Sequence, residues 1–374
     1  MTQHTLIKED RLPGEIHRLS DLEAYLNAAL RLEHATIPPY LTALYSLHPG
    51  SNSDAQHVIR VVAVEEMLHL TLVANVMNAI GLHVDLTADD FVPNYPAHLP
   101  SGEIDFLVDV QPFSQAAVTT FLNIERPAKA PTEESRLLPC PDASELGVGT
   151  VLAASPLDPS VRYYSIGEFY DEIERGLRYL DRTFREEGRE LFVGNASWQI
   201  TPEYFYSGGG EALAVVDLAT ALRALTVIAE QGEGMGGGIY DGEGELSHYY
   251  RFEQIQLARY YQKGDIPGRP SGPGLDVDFH AVYPVAINAE LADYPPGSPV
   301  LEAAQRFNQT YADFLAYLTQ AYNGAPSRLL DAVPWMFRLR DDINQLIRNP
   351  HPSVPGVNAS PVFERIPIDR GARA

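Results

Sequence analysis

A carboxylate and an imidazole stand three residues apart inside a long apolar stretch, Val64-Glu65-Glu66-Met67-Leu68-His69-Leu70. This pair constrains the fold more than any other feature. On an α-helix Glu66 and His69 project about 60° apart around the axis. Val62, Leu70, Val73 and Met77 share that face, so it should point inward. A carboxylate and an imidazole are costly to bury unless each finds a partner. Four-helix bundles meet that cost with metal, holding two iron or manganese ions between a Glu-x-x-His on one helix and a lone Glu on another. A single Glu-x-x-His is a short pattern. Its ordinary reading is a solvated Glu65 and Glu66 beside a satisfied core histidine, so the remaining ligands must be sought elsewhere.

Four helical patterns place the candidates. Ser20-Asp21-Leu22-Glu23 reads as a capping box opening a helix over about 20–45, which carries Glu33 one turn before Pro38 and Pro39. The prolines should kink or break it there. Ser53-Asp54-Ala55-Gln56 opens a second helix over about 53–80, stopped by Gly81. The short connection makes the pair antiparallel and sets Glu33 and Glu66 near mid-height, facing each other. A third helix, about 165–187, begins at Ser165 and carries Glu168 and Glu172 on one face. Ser165 with Glu168 is also a capping box, which would commit Glu168 to a backbone N–H. The fourth, about 213–230, ends in Glu230-Gln231-Gly232-Glu233-Gly234-Met235-Gly236-Gly237-Gly238. No Lys-Ser/Thr follows those glycines and no strand precedes them, which argues against phosphate binding. A break that re-aims His248, just after Ser247, explains them better.

Between the second and third helices, Asp85 to Tyr164 is rich in proline, with short alternating runs such as Ile104 to Val110. It reads as a long, partly β crossover insertion, of the kind that walls or covers a site. After Gly264 come an extended run, Ala281 to Asn288, and two further helices, Ser298 to Tyr322 and Ser327 to Arg348. A proline-rich tail from Asn349 is expected to wrap over the bundle. The fold class is mainly α, a four-helix bundle with an insertion and extra C-terminal helices, read as one domain over 1–374.

The 50 acidic and 27 basic residues give a net charge of −23, which argues against nucleic acid and anionic lipid as partners. The single cysteine, Cys140, excludes an internal disulfide and thiolate metal sites. Met1 to Arg11 has no apolar core of signal-peptide type, and no window reaches the roughly 18 apolar residues of a membrane span. The expectation is a cytoplasmic protein with no membrane partner.

In order, the inward candidates are Glu33, then Glu66 and His69, then Glu168 or Glu172, then Glu230 or Glu233, and His248. That sequence of ligands follows the carboxylate-bridged two-metal bundle helix by helix, including the long connection between helices two and three. Four carboxylates balance two divalent cations, and oxygen with imidazole suits iron or manganese. Tyr40 and Tyr164 are candidates to line a catalytic pocket. His34, His57 and His83 read as ordinary histidines.

Several blocks also carry a resemblance: Leu32-Glu33-His34-Ala35-Thr36-Ile37-Pro38-Pro39-Tyr40, Glu65 to Leu70, Asn75 to Gly81, Gln231 to Gly234, Ser247 to Phe252, and Asn358 to Glu364. Over roughly Leu19 to Glu364 the chain resembles the ferritin-like family typified by the iminophenyl-pyruvate dimer synthase domain of violacein and rebeccamycin biosynthesis. The resemblance implies a ferritin-like bundle and a place in specialised metabolism. It implies metal positions at Glu33, Glu66, His69, Glu168, Glu230 or Glu233, and His248. In the named synthases this domain is one part of a larger chain that couples two imines of aromatic 2-keto acids oxidatively.

The function expected is that of a non-haem di-iron oxidase or oxygenase. Two ferrous ions, or one in a mononuclear variant, would activate O2 to oxidise a C–H or N–H bond of a small amino-acid-derived or aromatic molecule. Manganese is the alternative metal. The rival readings are a coupling component like the synthase domain, a metal-storage protein, and a scaffold for a biosynthetic partner enzyme, each compatible with a homo-oligomer.

Overall fold

The computed structural model describes residues 15–102, 105–128, 157, 163–206 and 208–364. Met1 to Arg11, Ile104, Cys140 and the stretch beyond Glu364 lie outside the described residues. Among the described residues eight α-helices follow in chain order: α1 Leu19–Ser46, α2 Ser53–Ala79, α3 Gln115–Ile124, α4 Ile166–Glu186, α5 Leu218–Glu233, α6 His248–Leu257, α7 Pro299–Tyr322 and α8 Arg328–Ile347. Helices α1 and α2 form the most extensive pair. They meet a second pair, α4 and α5, through α1 against α4 and α2 against α5, which closes the four-helix bundle. Helices α7 and α8 pack together on the far side of α1 and α2, and α3 with α6 lies along the bundle. One apolar core runs continuously from the bundle into α7 and α8.

Local chemistry sets the ends of the helices. At α1 the acceptor is Asp21, whose carboxylate takes the His17 and Arg18 N–H groups at 3.2 and 3.0 Å. The cap is therefore Arg18, not the expected Ser20. Helix α2 starts after Asn52, whose side chain exchanges two hydrogen bonds with the Asp278 backbone and so ties the helix start to a distant segment. Its other end closes as expected at Gly81, with φ 79°. The Gly81 N–H reaches the Asn78 carbonyl and the Leu82 N–H the Met77 carbonyl, the paired bonds of a Schellman stop.

Helix α1 continues unbroken through Pro38 and Pro39. A proline at 39 cannot donate to the Ala35 carbonyl, and the Tyr95 hydroxyl takes up that oxygen at 2.8 Å. A donor from the crossover thus replaces the missing helical bond beside the centre.

The crossover differs from its expectation. Among its described residues there is no strand, only isolated bridges such as Ala97 with Val108. It contains helix α3, capped by the Ser114 hydroxyl on the Ala117 N–H at 3.0 Å. The Ala281 to Asn288 run likewise pairs only singly, Val282 with Leu47 and Val285 with Asn358. The tail does cover the fold: Ala359, Ser360 and Val362 are buried, and Phe363 packs edge-on against Phe307 and Tyr311.

The Asn75 to Gly81 block has a structural account. The Asn75 amide donates to the Ile200 and Leu213 carbonyls and accepts from the Ile200 N–H, while Asn78 donates to the Tyr322 carbonyl. One turn of α2 thereby anchors both the segment before α5 and the end of α7.

Candidate metal centre

Five buried side chains from four segments converge inside the bundle. Glu33 comes from α1 and Glu66 and His69 from α2. Glu125 is the residue that ends α3, and His248 is the first residue of α6. They form two groups that could hold a metal ion, Glu33 with Glu66 and His69, and Glu66 with Glu125 and His248. The donor atoms of each group lie within 4.8 Å of one another. Glu66 belongs to both.

Each of the five turns one donor atom inward and has the other engaged. The Tyr170 hydroxyl donates to Glu33 Oε1, Thr36 to Glu66 Oε2 at 3.0 Å, and Tyr40 to Glu125 Oε1. On the histidines, His69 Nε2 meets Gln231 Oε1 at 2.8 Å, and His248 Nε2 meets Glu65 Oε2 at 2.9 Å. Gln231 donates its amide to the Gly209 carbonyl at 3.0 Å, so its oxygen faces His69. With both Nε2 atoms acting as donors, each imidazole keeps a bare Nδ1, the tautomer a metal ligand needs. Glu33 Oε2, Glu66 Oε1, Glu125 Oε2 and the two Nδ1 atoms are left facing one another.

Their spacing suits a shared cation. Bonds of about 2.1 Å at angles of 90–120° put neighbouring donors roughly 3.0–3.6 Å apart. His69 Nδ1 lies 3.3 Å from Glu33 Oε2 and 3.7 Å from Glu66 Oε1, and His248 Nδ1 lies 3.0 Å from Glu66 Oε1 and 3.4 Å from Glu125 Oε2. Although two carboxylates face it, His248 Nδ1 is buried without a hydrogen bond of good geometry. A buried nitrogen without a partner, facing two carboxylates, has the chemistry of a metal ligand.

Electrostatics agree. With no cation present, burial pushes the Glu66 carboxyl up to about 8, reinforced by the carboxylate of Glu125. Burial opposes charge on His248, yet Glu125, Glu65 and Glu66 raise it well above its ordinary value. The cluster would thus have to take up protons, whereas divalent cations would leave the three carboxylates ionised and the two imidazoles neutral.

A supporting layer holds these groups. Arg251 Nη1 donates to both oxygens of Glu65 at 3.0 and 2.9 Å, and with His248 it keeps the Glu65 carboxyl below its ordinary range despite burial. Gly209, at φ 75°, lies against Glu65, and a Cβ there would come within 2.5 Å of the Glu65 Cγ. Glycine is required for that loop to reach Gln231. On α5, a Cβ at Gly232 would sit 3.7 Å from Glu125 Oε2. Helix α5 therefore brings an amide and a small residue to the centre in place of a carboxylate.

Of the residues singled out in the sequence, Glu33, Glu66, His69 and His248 are brought together, and Tyr40 touches Glu125. Glu168, Glu172, Glu230 and Glu233 are not part of either group. Glu168 accepts the Tyr164 N–H at 2.9 Å at the start of α4, which is the capping role. Glu172 accepts the Ile16 N–H and pairs with Arg175 at 2.7 Å. The Glu230 carboxylate lies over Gly242. Glu233 accepts the Ala128 and Gly167 N–H groups and ties the crossover to the first turn of α4. Tyr164 lies beneath the Arg126 guanidinium, 4.0 Å from its ring centre, beside the chain neighbour of Glu125. The two groups together hold three carboxylates rather than the expected four, and the third is instead Glu125, which sequence reasoning passed over. Its signal was the Ser114 cap followed by Ala117, Val118, Phe121, Leu122 and Ile124 at helical spacing.

The comparisons with known proteins agree with this architecture. Dichlorochromopyrrolate synthase of Lentzea aerocolonigenes is 29% identical over 286 residues, a match that spans 72% of this chain and 25% of that protein. The chain thus corresponds to about a quarter of that relative's length. A crystal structure of a ferritin-like protein from Caulobacter vibrioides matches 94% of this chain and all of its own with a TM-score of 0.59, at 24% identity, and supports the fold. The profile of the family described as ferritin-like matches residues 26–257, a span running from α1 through α6. The chain belongs to the ferritin-like family.

Proposed function

We propose that this protein is a non-haem, O2-dependent oxidase or oxygenase with two iron ions held by Glu33, Glu66, His69, Glu125 and His248. It acts on a small amino-acid-derived or aromatic metabolite in natural-product biosynthesis. The observation that carries the reading is the pair of groups sharing Glu66, in which each side chain has its outer atom hydrogen-bonded and turns its inner atom toward the others, His248 Nδ1 having no hydrogen-bond partner. A centre of this composition supplies electrons to O2 and an oxidant for a substrate C–H or N–H bond. Glu66 is the shared member, Glu33 with His69 holds one side, and Glu125 with His248 the other. Tyr170, Thr36 and Tyr40 fix the carboxylates, and Gln231 and Glu65 fix the imidazoles. No helix among the described residues is long and apolar enough to cross a membrane, which suits a small-molecule substrate taken from solution.

A cavity of about 490 Å³ bordered by Glu65, Gln231 and Arg251 offers that substrate an approach. A second reading, an oxidative coupling component, is favoured by the likeness to dichlorochromopyrrolate synthase. The test begins with metal content per chain after expression in iron-supplemented cells, then anaerobic ferrous titration and exposure to O2. Two irons per chain with an optical change on O2 addition are expected. A protein that takes up no metal and does not respond to O2 overturns the proposal and points to a scaffold role.

A further inference from the structure

A second, larger cavity of about 720 Å³ lies on the opposite side of α1 and α2, between them and the α7–α8 pair. Cavities of roughly 300–1,000 Å³ are the size that small organic ligands occupy. Helix α2 gives this one two unlike ends. Ser53, Gln56, His57 and Arg60 share one face of its first turns, and Met67 and Leu70 continue that face. Leu70 lies about 15 Å along the helix from Arg60. Helices α7 and α8 add Phe307, Phe314 and Met336 to the walls.

Charge is the selective feature. The chain has 50 acidic residues against 27 basic ones, yet no carboxylate is among the described residues that line this space. Its charged side chains are Arg60 from α2 and Arg340 from α8. Burial raises the Tyr45 hydroxyl above its ordinary range, and Arg340 and Arg60 both act against that rise. The two guanidiniums therefore stand near the same end of the cavity, beside the end of α1. Both arginines are exposed, so an anion can reach them. Arg60 gives Nη2 to His57 Nδ1 at 3.5 Å and pairs with no carboxylate among the described residues. Arg340 gives Nε and Nη2 to Asp341 Oδ1 at 3.1 and 3.0 Å, which leaves its Nη1. Further along α2 the polar groups are already committed. Thr71 bonds the Met67 carbonyl and the Tyr322 hydroxyl, both at 2.9 Å, and His34 bonds the Tyr311 hydroxyl.

Apolar walls favour a hydrocarbon over water, and a guanidinium fork favours a carboxylate. We infer that this cavity binds an apolar carboxylic acid, its hydrocarbon among the α7 and α8 side chains and its carboxylate at Arg60 and Arg340. The site is separate from the metal centre and does not depend on the function proposed above. Met67 follows Glu66 in the chain, so the occupant rests on the back of a helix that carries metal ligands.

The probes are decanoate, decanol and decylamine, one chain with a negative, a neutral and a positive head, titrated calorimetrically against the whole protein. Saturable binding of decanoate is expected, with decanol at least about tenfold weaker for want of charge-assisted hydrogen bonds and decylamine weakest. The net charge of −23 would impose the reverse order on non-specific attraction. Replacing both exposed arginines, Arg60→Gln with Arg340→Gln, should bring decanoate down to decanol. Met336→Trp, which fills the space, should weaken both at least tenfold, and Val333→Trp should do the same if the first variant folds poorly. The inference is overturned by absence of saturable decanoate binding, or by decanol or decylamine binding as tightly as decanoate in the unaltered protein. It is equally overturned if the preference for decanoate outlasts both arginines, or if binding survives both tryptophans. Glu66→Ala should lose metal and still bind decanoate, so the two proposals fail separately; decanoate binding lost with Glu66 would put the acid at the metal centre instead.

Discussion

On one side, α1 and α2 present Glu33, Glu66 and His69 to residues from α3 to α6. On the other, they present His34, Ile37, Met67 and Leu70 to α7 and α8. Both faces are buried, and both belong to the same two helices. On the inner face the ionisable groups each have a hydrogen bond behind them and turn their other atoms toward the centre. On the outer face the surroundings are apolar, and burial pushes the His34 imidazole down to about 3 and so keeps it neutral. The difference teaches that burial alone says little about role. A buried ionisable group marks a centre when its outer atoms are tied down and its inner atoms are not.

The most severe way to break this contrast is to remove the shared ligand. Glu66→Ala should reduce bound metal from two ions per chain to near none, while His69→Ala and His248→Ala should each cost chiefly one. Helical content measured by circular dichroism should survive in all three, because the apolar core is untouched. Metal analysis checks the ratio. A Glu66→Ala protein that still holds two ions would remove Glu66 from the centre.

A milder change acts on the layer behind the ligands. Gln231→Ala takes the acceptor from His69 Nε2, and Glu65→Gln weakens the hold on His248. Each should lower metal affinity about 10–100-fold without changing the number of sites. Competition with a chelator of known affinity measures this, and unchanged affinity in both variants would mean that neither residue orients its imidazole.

Much of the bundle was legible because its signals are local. Helical spacing, Gly81 and the Ser165 cap set the first three bundle helices to within a residue or two, whereas the fourth begins only at Leu218, after the Asp217 cap, and not at about 213. Glu66 with His69 could be placed on one face from spacing alone. The carboxylate–histidine cluster was harder to complete, for physical reasons. A carboxylate on a helix is read by its face, and Glu168 and Glu172 share one, but only tertiary structure reveals that Glu168 closes a backbone N–H and Glu172 an arginine pair. Glu125 lies at the end of a ten-residue helix inside a proline-rich crossover, where the Ser114 cap marks the start of the helix but nothing in the spacing marks the residue after its end as inward-facing. His248 was legible because the glycines before it supply the turn: Gly234, Gly236 and Gly237 all have positive φ. Gln231 and Gly209 carry no metal-ligand signature at all, and their role emerges only when the loop closes on α2.

The smallest expected effect tests the distinction between a capping and a ligating carboxylate. Glu168 and Glu125 both lie at helix ends, Glu168 in the first turn of α4 and Glu125 just after α3. Glu168 is only half-buried and gives one oxygen to the Tyr164 N–H. Glu125 is 2% exposed, with one oxygen on Tyr40 and the other 3.4 Å from His248 Nδ1. Glu168→Ala removes a single backbone partner that water can replace at a half-buried site, so it should cost about 0.5–2 kcal/mol of stability and no metal. Glu125→Gln keeps the shape and the capacity to accept from Tyr40, but loses the charge, so it should fold normally and lose the ion on the His248 side. Thermal melts and metal analysis on the two variants therefore give opposite patterns. Metal loss in Glu168→Ala, with Glu125→Gln fully loaded, would return the third carboxylate to the helix where its spacing first suggested it.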